Sequence, residues 1–233
     1  MKSKVFLLTF SVLFIASINI AAQEGPSTSV SGGGVLVKGW TGQIDAKEQA
    51  AGLTLNSAKL AKEGKALHVT TGPAVTYWNP ANKAKGDYTV SATFNEPKYM
   101  SINDHPHPYG IMIAGNDLGT EQQSYLYCAA YGDGRFIVRG FGPQPFQLGG
   151  RAPKADPAVN KAAGVGQPVT QEIAITVKGD TVSCSINKKQ VASFARADVV
   201  AAGKLKSTDG VYGLRFAHNT DATVSDFKLT KAQ

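Results

Sequence analysis

Residues 101–110 read SINDHPHPYG and carry the densest set of proton-moving and metal-binding side chains in the chain. His105 and His107 stand one residue apart, each followed by proline, with Asp104 just before them. Proline disfavours helix in the residue that precedes it, so both histidines are expected in extended backbone. In extended backbone, side chains two apart point to the same side, so two imidazoles can face one partner. A metal would need at least two further ligands. The remaining histidines are His68 and His218. His218 falls in step with Tyr212, Leu214 and Phe216, which reads as a satisfied, partly buried histidine. The first expectation for the loop is a stiff surface connection, the second the rim of a ligand site, and the third a metal.

Acid–base catalysis needs two carboxylates, or a carboxylate and a histidine, facing one another across a bond. The free-standing acids near such a site would be Glu96, Asp104, Asp117, Glu121 and Asp133. Asp117 and Glu121, with His105, are the catalytic candidates. Both acids lie in GNDLGTEQQ, a polar loop in which Asn116 and Asp117 also offer oxygens to calcium. The loop lacks the acidic ladder of an EF-hand. No Gly-x-Ser-x-Gly elbow, phosphate loop or dinucleotide fingerprint is present. No cofactor is therefore called for, calcium being the one ion the loop chemistry allows.

The elements that must hold these groups are strands. In DYTVSATFNE, Tyr88, Val90, Ala92 and Phe94 alternate with polar residues. In QEIAITVKGDTVSCSIN, Ile173, Ile175 and Val177 share a face. Gly179-Asp180 turns the chain, and Val182, Cys184 and Ile186 share the next inward face. Asn187-Lys188-Lys189 makes a second tight turn, which predicts a meander. LHVT, AVTYW, YGIMIAG, SYLYCAA, GRFIVRGF, GVYGLRFAHN and TVSDFKL bring the total to roughly eleven to thirteen short strands, the rhythm of a sandwich. Helical turns are expected only near residues 45–52 and 195–203, the second ending on Gly203. Residues 142–169, rich in proline and glycine, read as a long loop, either mobile or a lid carrying Phe146.

The chain opens with Lys2 and Lys4, an apolar run over residues 5–18, and then Ala21-Ala22. This is the three-part pattern of a secretory signal, too short for a span of ~20 apolar residues. Cleavage after Ala22 would leave a flexible lead-in over residues 23–34 and one domain over 35–233, in the periplasm or secreted. No membrane span is expected after cleavage. The 24 basic residues outnumber 17 acidic ones, but the lysines are scattered and not interleaved with aromatics, which argues against nucleic acid. Cys128 and Cys184 lie in expected strands of an exported chain. A disulfide and two buried thiols both remain open.

Two stretches carry a family resemblance. One is GVYGLRFAHNTDATVSDFKLT (210–230); the other is YGIMIAGND followed by QQSYLYCAAYGDGRFIVRGF. Over roughly residues 35–230 this pattern resembles the concanavalin A-like jelly rolls, among them laminin-G-like domains and the bacterial secreted 3-keto-disaccharide hydrolase family. The paired-acid signature of the related glucanases, Glu-x-Asp-x-x-Glu, is missing. The resemblance implies an all-β jelly-roll sandwich of two antiparallel sheets, with a concave face that holds a glycan or other polar small ligand. The residues that would line it are Trp78, Asn79, His105, His107, Tyr127, Arg139 and Arg215. Aromatic rings offer sugars an apolar plate, and planar donors reach paired hydroxyls. The expected function is an exported, lectin-like carbohydrate-binding domain. A glycan-cleaving hydrolase of the 3-keto-disaccharide kind and a ligand-free interaction domain are the alternatives.

Overall fold

Wherever the sequence alternates cleanly, the chain is a strand. The computed structural model describes residues 25–232; the leader expected over residues 1–22 lies outside them. Strand β6 (Tyr88–Glu96) alternates buried and half-buried residues along its whole length. β12 (Val169–Lys178) and β13 (Thr181–Ile186) join through Gly179, and β14 (Lys189–Ala195) follows. The β13–β14 turn places Asn187 and Lys188 at φ 49° and 68°. Two successive positive φ values match the right-handed twist of a tight hairpin.

The first sheet runs, in spatial order, β1 (Gly34–Val35), β3 (Lys59–Glu63), β4 (Ala66–Thr70), β16 (Asp221–Lys231), then β6, β12, β13 and β14. The second runs β10 (Pro145–Leu148), β9 (Arg135–Phe141), β8 (Ser124–Ala130), β7 (Tyr109–Asn116), β15 (Gly210–Phe216), β5 (Val75–Ala84) and β2 (Thr41–Ile44), with β11 (Lys154–Ala155) also on β9. The expected short helices form as α1 (Ala46–Ala50) and α2 (Arg196–Val199).

Between the sheets, Phe94 of β6 stacks on Tyr109 of β7 at 5.6 Å and meets Phe216 of β15 edge-on at 6.0 Å. A disulfide joins Cys128 on β8 to Cys184 on β13, with Cα atoms 6.2 Å apart, so it staples one sheet to the other through the core. A second apolar layer, Trp78, Met112, Tyr125, Tyr127, Tyr131 and Ile137, lies on the outer face of the second sheet. This explains why β8 is buried at every residue. Where β15 passes Trp78, only glycine fits. A Cβ on Gly213 would sit 2.2 Å from the Tyr77 carbonyl oxygen and 3.2 Å from Met112 Cε.

Two expectations are corrected. Residues 142–169 form no lid over a face: they build β10 and β11 and extend the sheet edge. Phe146 lies opposite Gly140, half-buried against the main core. The lead-in is tied down from Pro26 onward, whose carbonyl accepts from Asn219 Nδ2 at 3.3 Å. Thr28 donates from its backbone and hydroxyl to Asn219 Oδ1 at 2.9 and 2.8 Å, and Val30 N donates to the Ser57 carbonyl at 3.1 Å.

Glu96, the last residue of β6, is buried at the end of the core. Burial pushes its carboxyl up from 4.5 to about 7, against a backbone hydrogen bond from Met100 that lowers it. The folded state thus holds a proton that the unfolded state releases. This stabilisation is full below about pH 4.5 and is lost as pH rises through about 7. Melting temperatures measured from pH 4 to 8 should fall across that window, and Glu96→Gln should flatten the fall. An unchanged profile in the variant would show that Glu96 is ionised throughout. Separately, Cys128→Ser with Cys184→Ser should lower unfolding free energy by about 4 kcal/mol in a denaturant titration. A loss under about 1 kcal/mol would contradict the cross-sheet role.

Candidate functional site

The outer face of the second sheet carries a cleft of about 350 Å³. Tyr127 of β8, Ile137 and Arg139 of β9, and Arg215 of β15 form its floor; Tyr131 and Arg135 close one end. His105, His107 and His218 stand on the rim. Alternation places the floor residues: Leu126, Cys128, Val138, Leu214 and Phe216 point into the core, so the residues between them point out.

Two loops bring the histidines together. The amide of Ala217 donates to the Pro108 carbonyl at 2.9 Å, adding a rung to the β7–β15 ladder and setting the two loops side by side. His107 Nδ1 then donates to the His218 carbonyl. The rings of His107 and His218 lie 4.1 Å apart, those of His105 and His107 4.2 Å. His107 Nε2 is 2.8 Å from His105 Nε2, and His105 Nδ1 bonds the Asp104 carboxylate. That bond holds the Asp104 carboxyl below its usual range. Burial first, and then the neighbouring His218 and His105, pull His107 from 6.5 down to about 4, so its ring is neutral at pH 7.

The three arginines differ. Arg215 is buried and forks onto Asp45, Nη1–Oδ1 and Nη2–Oδ2 both 2.6 Å, with Thr76 Oγ1 3.2 Å from Nη1. Burial alone would lower its pKa; the Asp45 carboxylate outweighs this and raises it. Its guanidinium carbon lies 5.6 and 5.5 Å from the ring centres of Tyr127 and Phe141. Arg135 is bound by Asp133 at 2.6 Å and lies 5.1 Å from the Tyr131 ring centre. Arg139 faces no carboxylate among the described residues. Its Nη2 donates to the Arg151 carbonyl at 3.0 Å, and its Nε is buried without a protein partner.

The site expected from sequence is thus partly assembled. His105, His107, Tyr127, Arg139 and Arg215 share one cleft. Arg215, expected to be exposed, is instead a buried structural cation. Trp78 is 7% exposed and packs in the outer apolar layer away from the cleft lining. Asn79 accepts the Ala81 amide at 2.9 Å within β5 and does not line the cleft. Asp117 is ion-paired with Lys206, and Asn116 Nδ2 donates to the Ala114 and Asp209 carbonyls. Glu121 lines a second cleft of about 500 Å³ with Asp45, Thr76, Tyr125 and Phe141, apart from the histidines. Glu96 faces the core and Asp133 holds Arg135. His68 bonds Asp221 at 2.7 Å on the first sheet and takes no part.

Alternation puts His218 in step with β15 as a partly buried residue, and half-buried it is. The strand ends at Phe216, and the following turn, with Asn219 at φ 48°, carries His218 to the other histidines. Asp45 and Tyr131 were not anticipated: Asp45 shows only as a helix-start residue, and Tyr131 follows the end of β8 where alternation gives no sign of a cleft.

No protein-family model matches the chain, and no curated protein does. Solved structures do. A carbohydrate-binding module, CBM66, from Bacillus subtilis superposes with a TM-score of 0.54 at 9% identity, covering 86% of this chain and 99% of that one. A Bacillus subtilis protein of unknown function with a galectin-like fold gives 0.56 at 14% identity, covering 84% and 90%. The fold is a concanavalin A-like jelly roll. At such identities the likeness concerns the fold.

The Arg215–Asp45 pair yields a test. Removing one partner of a buried pair strands the other charge. Asp45→Ala should cost about 3 kcal/mol in urea unfolding, and Asp45→Ala with Arg215→Met should recover most of it. Equal losses in both variants would show that the pair is not the source of the stability.

Proposed function

We propose that the protein is an exported carbohydrate-binding domain, periplasmic or secreted, whose ligand lies in the outer-face cleft. One observation carries the reading: Arg139, with no carboxylate facing it, points into a cleft floored by Tyr127 and flanked by Tyr131. A pyranose ring brings an apolar face to tyrosine and a set of hydroxyl oxygens to arginine. The other two arginines are already neutralised by Asp45 and Asp133, so they orient the floor and leave Arg139 as the available cation. The printed name of one structural neighbour, a carbohydrate-binding module, supports the same reading. Export rests on the leader pattern of residues 1–22, with Lys2, Lys4 and Ala21-Ala22 as its marks.

A panel of neutral and acidic glycans, read by thermal shift and then calorimetry, tests the binding. At least one class should stabilise the protein. Arg139→Ala and Tyr131→Ala should each weaken it roughly tenfold or more, at unchanged fold. Binding that survives both substitutions would place the ligand elsewhere, and a panel with no binder would remove the carbohydrate reading.

A further inference from the structure

The three histidines at the cleft rim do more than shape it. The hydrogen positions follow from their partners. His107 Nδ1 faces the His218 carbonyl, which only accepts, so Nδ1 carries a proton and Nε2 is the atom turned toward His105. His105 Nδ1 faces the Asp104 carboxylate, so it too carries a proton. The two Nε2 atoms face each other at 2.8 Å, a separation at which one cation, a proton or a metal ion, is shared between them. The His218 ring supplies a third nitrogen, and the ligand atoms of all three lie within 4.8 Å of one another.

We propose that His105, His107 and His218 bind a divalent transition-metal ion of the zinc class, at a position open to the cleft. Three imidazoles suit zinc and its late first-row neighbours and do not suit calcium or magnesium, which take oxygen ligands. The outer partners are those such a site needs. A carboxylate on His105 and a backbone carbonyl on His107 fix each ring with Nε2 facing inward. Three protein ligands leave room in a tetrahedral set for an exogenous oxygen. In this cleft that oxygen would be a hydroxyl or carboxylate of the ligand, held between the metal and Arg139. The metal site stands on the histidine geometry and does not depend on the ligand being a glycan.

Cobalt tests it. The chelator-stripped protein should take up one equivalent of Co(II), with a visible absorption band that one equivalent of zinc abolishes, at sub-micromolar zinc affinity. His105→Gln, on the half-exposed ring, should abolish the band, as should His107→Gln, each checked for fold by circular dichroism. Asp104→Asn should weaken zinc about tenfold while keeping the band. His68→Gln, which removes the other histidine–carboxylate group, should change nothing. If His107→Gln fails to fold, His105→Gln and Asp104→Asn decide. No cobalt band, a band retained in His105→Gln, or a band lost in His68→Gln would overturn the site. In a retained two-histidine pair, a shared proton would then bridge the rings. Zinc binding without any glycan partner would sustain this inference while removing the proposed function, so the two failures are distinct.

Discussion

A buried guanidinium must have a partner, and in this fold that requirement organises the outer face of the second sheet. Arg215 on β15 reaches Asp45 at the start of α1 and Thr76 on β5, and Thr76 continues to the Tyr125 hydroxyl on β8 at 3.0 Å. The chain of bonds links β15, β5 and β8 on the outer face of the sheet. Arg215 lines the cleft that carries the histidines, while Asp45, Thr76 and Tyr125 line the neighbouring one. One ion pair therefore separates and supports both openings. It is costly to desolvate, and a well-packed apolar substitute could be equally stable. The Arg215 guanidinium also lies over the rings of Tyr127 and Phe141.

The second sheet is unusual in being apolar on both faces. Its inner face makes the core with the first sheet; its outer face holds Trp78, Met112, Tyr125 and Tyr127. An outer layer of this kind is buried by its own aromatics and by the loops that rim the clefts. Those loops carry the histidines, and the Ala217–Pro108 rung binds them to the sheet. The site thus rests on a strand scaffold even though its most reactive groups are on loops, the usual division between positioning and chemistry.

Much of the fold was legible because alternation with period two is a direct consequence of one buried face. β6, β12 and β13 read cleanly for that reason. β10 and β11 did not, because an edge strand of two to four residues, broken by proline and glycine, has no period to show. The residues of the cleft floor were readable as the positions opposite core residues on β8, β9 and β15. Which of them were free was not. Sequence cannot show that Asp45, 170 residues away, neutralises Arg215, nor that Asp133 takes Arg135 and leaves Arg139. His218 is half-buried, as its step with β15 implies, but the strand ends at Phe216 and the turn at Asn219 carries the ring to the cleft rim, which alternation cannot show. The extended His105-Pro-His107-Pro reading did foresee two imidazoles on one side, and the third came only with the fold.

The most direct measurement is a two-dimensional amide spectrum of the protein titrated with a glycan found to bind. The account predicts shifts confined to β8, β9 and the histidine loops, centred on Tyr127, Tyr131, Arg139 and His107, with the far side of the apolar groove at Leu148 and Phe194 unmoved. Shifts centred on that groove, or on the outer face of the first sheet, would contradict it.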